Sequence, residues 1–149
     1  MNKTKFSTLL ILMLLFFGLS MVSAQVAGPG DTDGDGIQDG NESGIPNVLV
    51  TLTGTDGAGN QVTLTTTTDG NGFYEFTGLV PGTYKLTFGQ PAGFEPTAQD
   101  EGGDEALDSD IDPVMLMTTT TVLESGETDH TWDAGFYQPA EIGNYVWLD

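Results

Sequence analysis

The residues best placed to do chemistry lie together in one run: Asp31-Thr32-Asp33-Gly34-Asp35-Gly36-Ile37-Gln38-Asp39-Gly40-Asn41-Glu42. Acids stand at positions one, three, five, nine and twelve of this run, with glycine at six, which matches the twelve-residue calcium loop in full. The spacing has a physical reason. Asp31, Asp33 and Asp35 alternate, so a curled backbone turns all three carboxylates onto one ion. Gly36 permits the bend, Ile37 offers its backbone carbonyl, Asp39 coordinates directly or through water, and Glu42 closes the shell with two oxygens. A donor set made only of hard oxygens selects Ca²⁺ over Zn²⁺, and the absence of cysteine agrees. The plain alternative is a soluble Asp/Gly linker, which has no need of this spacing. A strand pattern follows the loop, so a helix-loop-helix pair is not expected.

A second acidic cluster, less specific, comprises Asp100, Glu101, Asp104, Glu105, Asp108, Asp110 and Asp112. Asp108, Asp110 and Asp112 alternate and are the expected ligands of a second calcium site, with Asp69 and Asp133 as possible contributors from neighbouring loops. Against this stands a solvated acidic loop.

Little else could be catalytic. The chain has no cysteine or arginine and one histidine. Asp129-His130 near Ser125 invites comparison with a hydrolase triad, but a triad is defined by spatial roles. His130 opens a strand pattern and is expected at the surface. Paired carboxylates could serve glycoside hydrolysis, yet 22 acids make chance pairs inevitable. Trp132 and Trp147 read as core or edge residues. No enzyme is expected.

The elements that must position the loops are strands. Asn47 to Thr53 puts Val48, Val50 and Leu52 on one face, and Gln61 to Thr67 does the same for Val62 and Leu64, with a turn cluster between them: a hairpin. Asp69-Gly70-Asn71-Gly72 is a tight turn. Phe73 to Phe76 and Thr83 to Phe88 continue the pattern, the latter with Tyr84, Leu86 and Phe88 on one face and Lys85 on the other. Residues 89–112 read as an acidic loop. Val114 to Leu123, Thr131 to Tyr137 and Ile142 to Leu148 are further strand candidates. About seven short strands and no helical stripe predict an all-β Greek-key β-sandwich.

Lys3 and Lys5, the apolar Leu9 to Leu19 and the small Val22-Ser23-Ala24 have the layout of a secretory signal peptide over residues 1–24, with the mature chain starting at Gln25. The apolar stretch is shorter than the ~18–20 residues of a membrane span. The protein is therefore expected outside the cell, with no membrane insertion after cleavage. All 22 acids lie beyond residue 24, against one basic residue, Lys85. Nucleic acid is excluded as a partner, since it demands Lys or Arg to neutralise phosphates. Such charge also opposes compaction, and without disulfides bound cations are the natural staple.

After the calcium loop come GIPNVLVTL, TTTTDGNGFYEFTGLVPGTYKLTF, DSDIDP, DAGFY and IGNYVWLD. This order, over residues 31–149, resembles the B-type repeats of serine-aspartate repeat surface adhesins, the SdrD B-like family within the prealbumin-like, Cna B-type sandwiches. The resemblance implies a calcium-rigidified spacer that holds a ligand-binding domain away from a bacterial cell surface. It also implies that a strand like Ile142 to Leu148 opens a repeat, with Asp149 corresponding to Asp31. Residues 25–138 then form a repeat lacking its usual opening strand. Residues 139–149 open the next repeat or complete this one, by folding back or by strand addition to a neighbour. The internal isopeptide bond of many Cna B-type relatives is not expected, because Lys85 sits mid-strand, although Glu75 resembles the assisting acid. The rival reading is a module that binds carbohydrate or protein through its loops.

Overall fold

The computed structural model describes residues 30–148. The expected signal peptide, its cleavage site and Asp149 lie outside the described residues. Among those described there is no helix, and none long and apolar enough to cross a membrane.

Among the described residues there are six strands: β1 (Leu49–Asp56), β2 (Gln61–Thr67), β3 (Gly82–Phe88), β4 (Glu95–Pro96), β5 (Thr121–Leu123) and β6 (Phe136–Tyr137). Four form an antiparallel sheet in the order β2-β1-β3-β5, and β4 and β6 pair separately. The expected hairpin is β1–β2, in register from Leu49 opposite Thr67 to Thr55 opposite Gln61. Its turn is pinned by Asp56, whose carboxylate accepts the Ala58 and Asn60 backbone N–H groups at 3.0 and 2.8 Å. These bonds, those from the Asn60 side chain first among them, hold the Asp56 carboxyl below its ordinary value.

Strand alternation decides the core. Val48, Val50 and Leu52 from the first strand segment, and Tyr84, Leu86 and Phe88 from β3, point the same way and are all buried. Phe94, Ile111 and Phe136 complete the buried cluster from the opposite side. Tyr74, Phe76 and Trp132 pack against it partly buried. Lys85 sits on the other face, opposite Thr53, as its alternation requires. The arrangement is an all-β sandwich.

Four expected strands differ among the described residues. Phe73 to Phe76 is in no β-ladder, Val114 to Leu123 pairs as a strand only from Thr121, and Thr131 to Tyr137 only at Phe136–Tyr137. A turn explains the second: the Asp112 carboxylate accepts the N–H groups of Val114 and Met115, and the Leu116 N–H returns to the Asp112 carbonyl at 2.8 Å. Ile142 to Leu148 is exposed and unpaired among the described residues. Alternation in a sequence marks a segment fit for a sheet; a ladder also needs a neighbour.

Candidate metal centre

The loop from Asp31 to Glu42 is anchored at its start to the end of the sandwich. Asp31 is buried, and its N–H donates to the Phe136 carbonyl at 3.0 Å. Its carboxylate turns back over the loop, Oδ1 accepting the Gly34 N–H at 2.6 Å and Oδ2 the Gly36 N–H at 2.9 Å. Asp35 accepts the Ile37 N–H at 2.9 Å. Glu42 closes the loop, Oε1 accepting from the Thr32 N–H at 2.6 Å and Oε2 from the Asp39 N–H at 3.0 Å. Desolvation works against the Glu42 carboxylate, yet the bonds from Thr32 and Asp39 outweigh it and keep this acid below its ordinary range.

Gly36 is at φ +84°, and a Cβ there would meet the Ala98 carbonyl oxygen at 2.9 Å. Only glycine fits that bend. The result gathers Asp31, Asp33 and Asp35, with one oxygen from each within 4.8 Å of the others. The repulsion is visible in Asp33, raised first by the Asp35 charge, then by burial and, further down, by Asp31 and Glu42. Asp39 is exposed, and the Ile37 carbonyl accepts no hydrogen bond among the described residues.

The second group sits on the facing loop. Gln38 N–H donates to the Leu107 carbonyl at 2.6 Å, and Ser109 N–H to the Gly36 carbonyl at 3.2 Å, so the two loops share a short bridge through Ile37 and Asp108. Oxygens of Glu105, Asp108 and Asp110 lie within 4.8 Å of one another. Asp108, Ser109 and Asp110 are buried. Asp133 joins from the segment before β6: Asp110 N–H donates to its carbonyl at 3.0 Å, and its own N–H to Asp110 Oδ2 at 2.5 Å.

This second group is electrostatically costly. Burial pushes the Asp110 carboxyl up to about 7; the Asp133 N–H bond opposes that, and the charges of Asp133, Asp108 and Asp100 add to it. Burial, then the Asp108 charge, raises Asp133 to about 6. Asp108 Oδ1 and Asp133 Oδ2 are buried with no hydrogen-bond partner among the described residues. Unpaired buried carboxylate oxygens cost free energy unless a cation neutralises them. An all-oxygen donor set with two such atoms fits a hard divalent ion.

Of the expected second-site ligands, Asp108 and Asp110 come together and Asp112 lies outside the group, capping its own turn. Glu105 stands with them, and Asp133 takes a neighbouring place. Asp69 holds the turn before Phe73, accepting the Asn71 and Phe73 N–H groups. Sequence reasoning passed over Ser109, whose Oγ accepts the Gly135 N–H at 3.0 Å, and the buried, unpartnered Thr97 Oγ1. A lone serine or threonine gives no periodic signal.

Ser125, Asp129 and His130 line one cavity, with neither Asp129 nor His130 hydrogen-bonded to the other. The Asp129 carboxylate accepts from Thr131 and from the Trp132 indole at 2.7 Å, while His130 Nε2 lies 3.7 Å from Glu75.

Residues 30–136 match the SdrD B-like domain model. Serine-aspartate repeat-containing protein F of Staphylococcus epidermidis (strain ATCC 12228 / FDA PCI 1200) is 48% identical over 120 residues, covering 80% of this chain and 7% of that protein. Serine-aspartate repeat-containing protein C of Staphylococcus aureus (strain N315) is 46% identical over 121 residues, covering 80% of this chain and 12% of its own length. The chain thus spans only a small fraction of the length of these relatives. With the matched residues running from the first loop acid's neighbour to β6, the chain belongs to the SdrD B-like domain family.

Proposed function

We propose that this domain is a calcium-stapled structural repeat of a bacterial cell-surface adhesin, exported and serving as a stiff spacer rather than as an enzyme. The observation that carries it is the pair of carboxylate groups on facing loops, bridged by backbone hydrogen bonds and including the unpartnered buried Asp108 Oδ1. Asp31, Asp33, Asp35, the Ile37 carbonyl, Asp39 and Glu42 would hold one calcium ion, and Glu105, Asp108, Asp110 and Asp133 a second. The bound ions supply charge neutralisation. The chain's own part is to bring the two loops against β6, so that each neutralised cluster ties loop to sandwich. The likeness to the serine-aspartate repeat proteins supports the surface setting, and the charge of −19 supports the need for cations.

Calorimetric titration with calcium tests this. Two calcium ions per chain are expected in the wild type. One is expected to be lost in Asp33→Ala plus Asp35→Ala, and the other in Asp108→Asn plus Asp110→Asn. A wild type that takes up no calcium at millimolar concentration contradicts the proposal, that being the weak end of extracellular calcium modules at about 10⁻⁴–10⁻³ M.

A further inference from the structure

We propose that β2 is the interface through which two copies of this chain pair, antiparallel, into one continuous sheet. The main sheet ends at β2, which has β1 on one side and no further strand beside it among the described residues. The two ends of the β1–β2 ladder fix which main-chain groups of β2 are free. Thr68 N–H donates to the Val48 carbonyl and Asp56 N–H to the Asn60 carbonyl, each at 3.0 Å. Residues two apart along a strand turn their N–H and C=O groups the same way. Val62, Leu64 and Thr66 therefore bond to β1, and Gln61, Thr63, Thr65 and Thr67 point theirs outward.

Edge strands are commonly blunted by charge, proline, a bulge or shortness. β2 has none of these. Gln61–Thr67 holds no charged residue and no proline, and its register with β1 is unbroken over all 7 residues. β5, the other edge of the sheet, is only 3 residues long. In a chain of net charge −19, two copies repel wherever acids face one another. An uncharged strand is where they can come close.

The occupant is a second copy because the strand is complementary to itself. Setting Leu64 opposite its own counterpart pairs Thr63 with Thr65 and Gln61 with Thr67 across a two-fold axis. Every outward residue then exchanges both its bonds. Asp69 falls opposite Gly59 of the second copy and meets no acid there. Leu64 lies beside Leu52 in register, on the face that builds the core, yet it is 42% exposed where Leu52 is 4%. The pairing covers it, because the Leu64 pair takes the closer, non-hydrogen-bonded spacing of about 4.5 Å between Cα atoms. On the other face the Thr63–Thr65 pairs add cross-strand contacts. The contact is isologous and closes at two copies, drawing domains side by side.

Sedimentation of the exported chain from micromolar to millimolar concentration, in calcium and at physiological salt, tests the pairing. A monomer–dimer equilibrium is expected. Thr65→Pro removes an outward N–H and no bond to β1, the position at which an edge strand tolerates proline. It is expected to weaken the dimer about tenfold or more, since the two-fold axis makes each lost bond count twice. A thermal melt verifies that the single domain keeps its fold. Leu64→Cys gives a second reading that does not depend on T65P folding. The chain has no cysteine of its own, and Cα atoms about 4.5 Å apart are within reach of a disulfide. Mild oxidation is expected to cross-link L64C rapidly and Val122→Cys, exposed on β5, slowly. Three results would each overturn the proposal: a wild type monomeric at millimolar concentration; a dimer undiminished in folded T65P; or L64C cross-linking no faster than V122C.

Discussion

Asp108 and its neighbours show how a single carboxylate can be costly without metal and useful with it. Asp110 and Asp133, at about 7 and about 6, hold protons more tightly folded than unfolded. Between the unfolded carboxylate value near 4 and about pH 7 the native state therefore binds more protons, and stability falls as pH rises. In chelator, the melting temperature is expected to decline from pH 5 to pH 7.5. Calcium is expected to reverse that decline by taking the place of the protons, with affinity rising over the same window. Asp108→Asn removes a charge that adds to burial in raising both neighbours. Denaturant melts should find it more stable than the wild type in chelator and less responsive to calcium; a loss of stability in chelator would mean that Asp108 is paired in a way the metal account leaves out. The ligand spacing of the first loop is readable in sequence, because contiguous residues form it. Membership of the second group is not: Asp112 alternates with Asp110 as regularly as Asp108 does, and only the turn at Val114–Leu116 takes it away.

Element by element, the strands that have both a pattern and a neighbour are the ones legible from the chain. β1 and β3 are legible by alternation because each has a buried face and a ladder, whereas β2 alternates with its side chains exposed or half-buried and is held by its ladder to β1. Phe73 to Phe76 shows the pattern equally well, yet what it pairs with is set by the whole fold, and no local sequence records that. The two-residue strands β4 and β6 are too short to leave a period. Leu52 sits between Leu64 and Leu86 in register, in a part of the sheet that holds none of the acidic-group residues. Leu52→Ala is expected to cost about 2–5 kcal/mol through lost burial and the cavity left behind. Denaturant unfolding should give the same loss in chelator and in calcium. A loss that calcium repairs would mean that the sheet and the loops are one cooperative network.

For the molecule as a whole, charge is the organising quantity. With 22 acids against three lysines, only one of them within the described residues, the chain opposes its own compaction. The fold gathers six of these acids into two close groups of three, Asp31, Asp33 and Asp35 on one loop and Glu105, Asp108 and Asp110 on the facing one. An ion bound only by the folded state stabilises it by about 2.7 kcal/mol at a hundredfold excess over its dissociation constant. For a domain of this size that is a rise in melting temperature on the order of 10 °C per site.

The most direct measurement is a thermal melt of the chain from Gln25 in EDTA and across a calcium titration, beside the Asp33→Ala plus Asp35→Ala variant. The calcium account predicts a melting temperature that climbs with calcium in the wild type and loses a large part of that climb in the variant. A melting temperature indifferent to calcium, or a climb identical in the two chains, would contradict it.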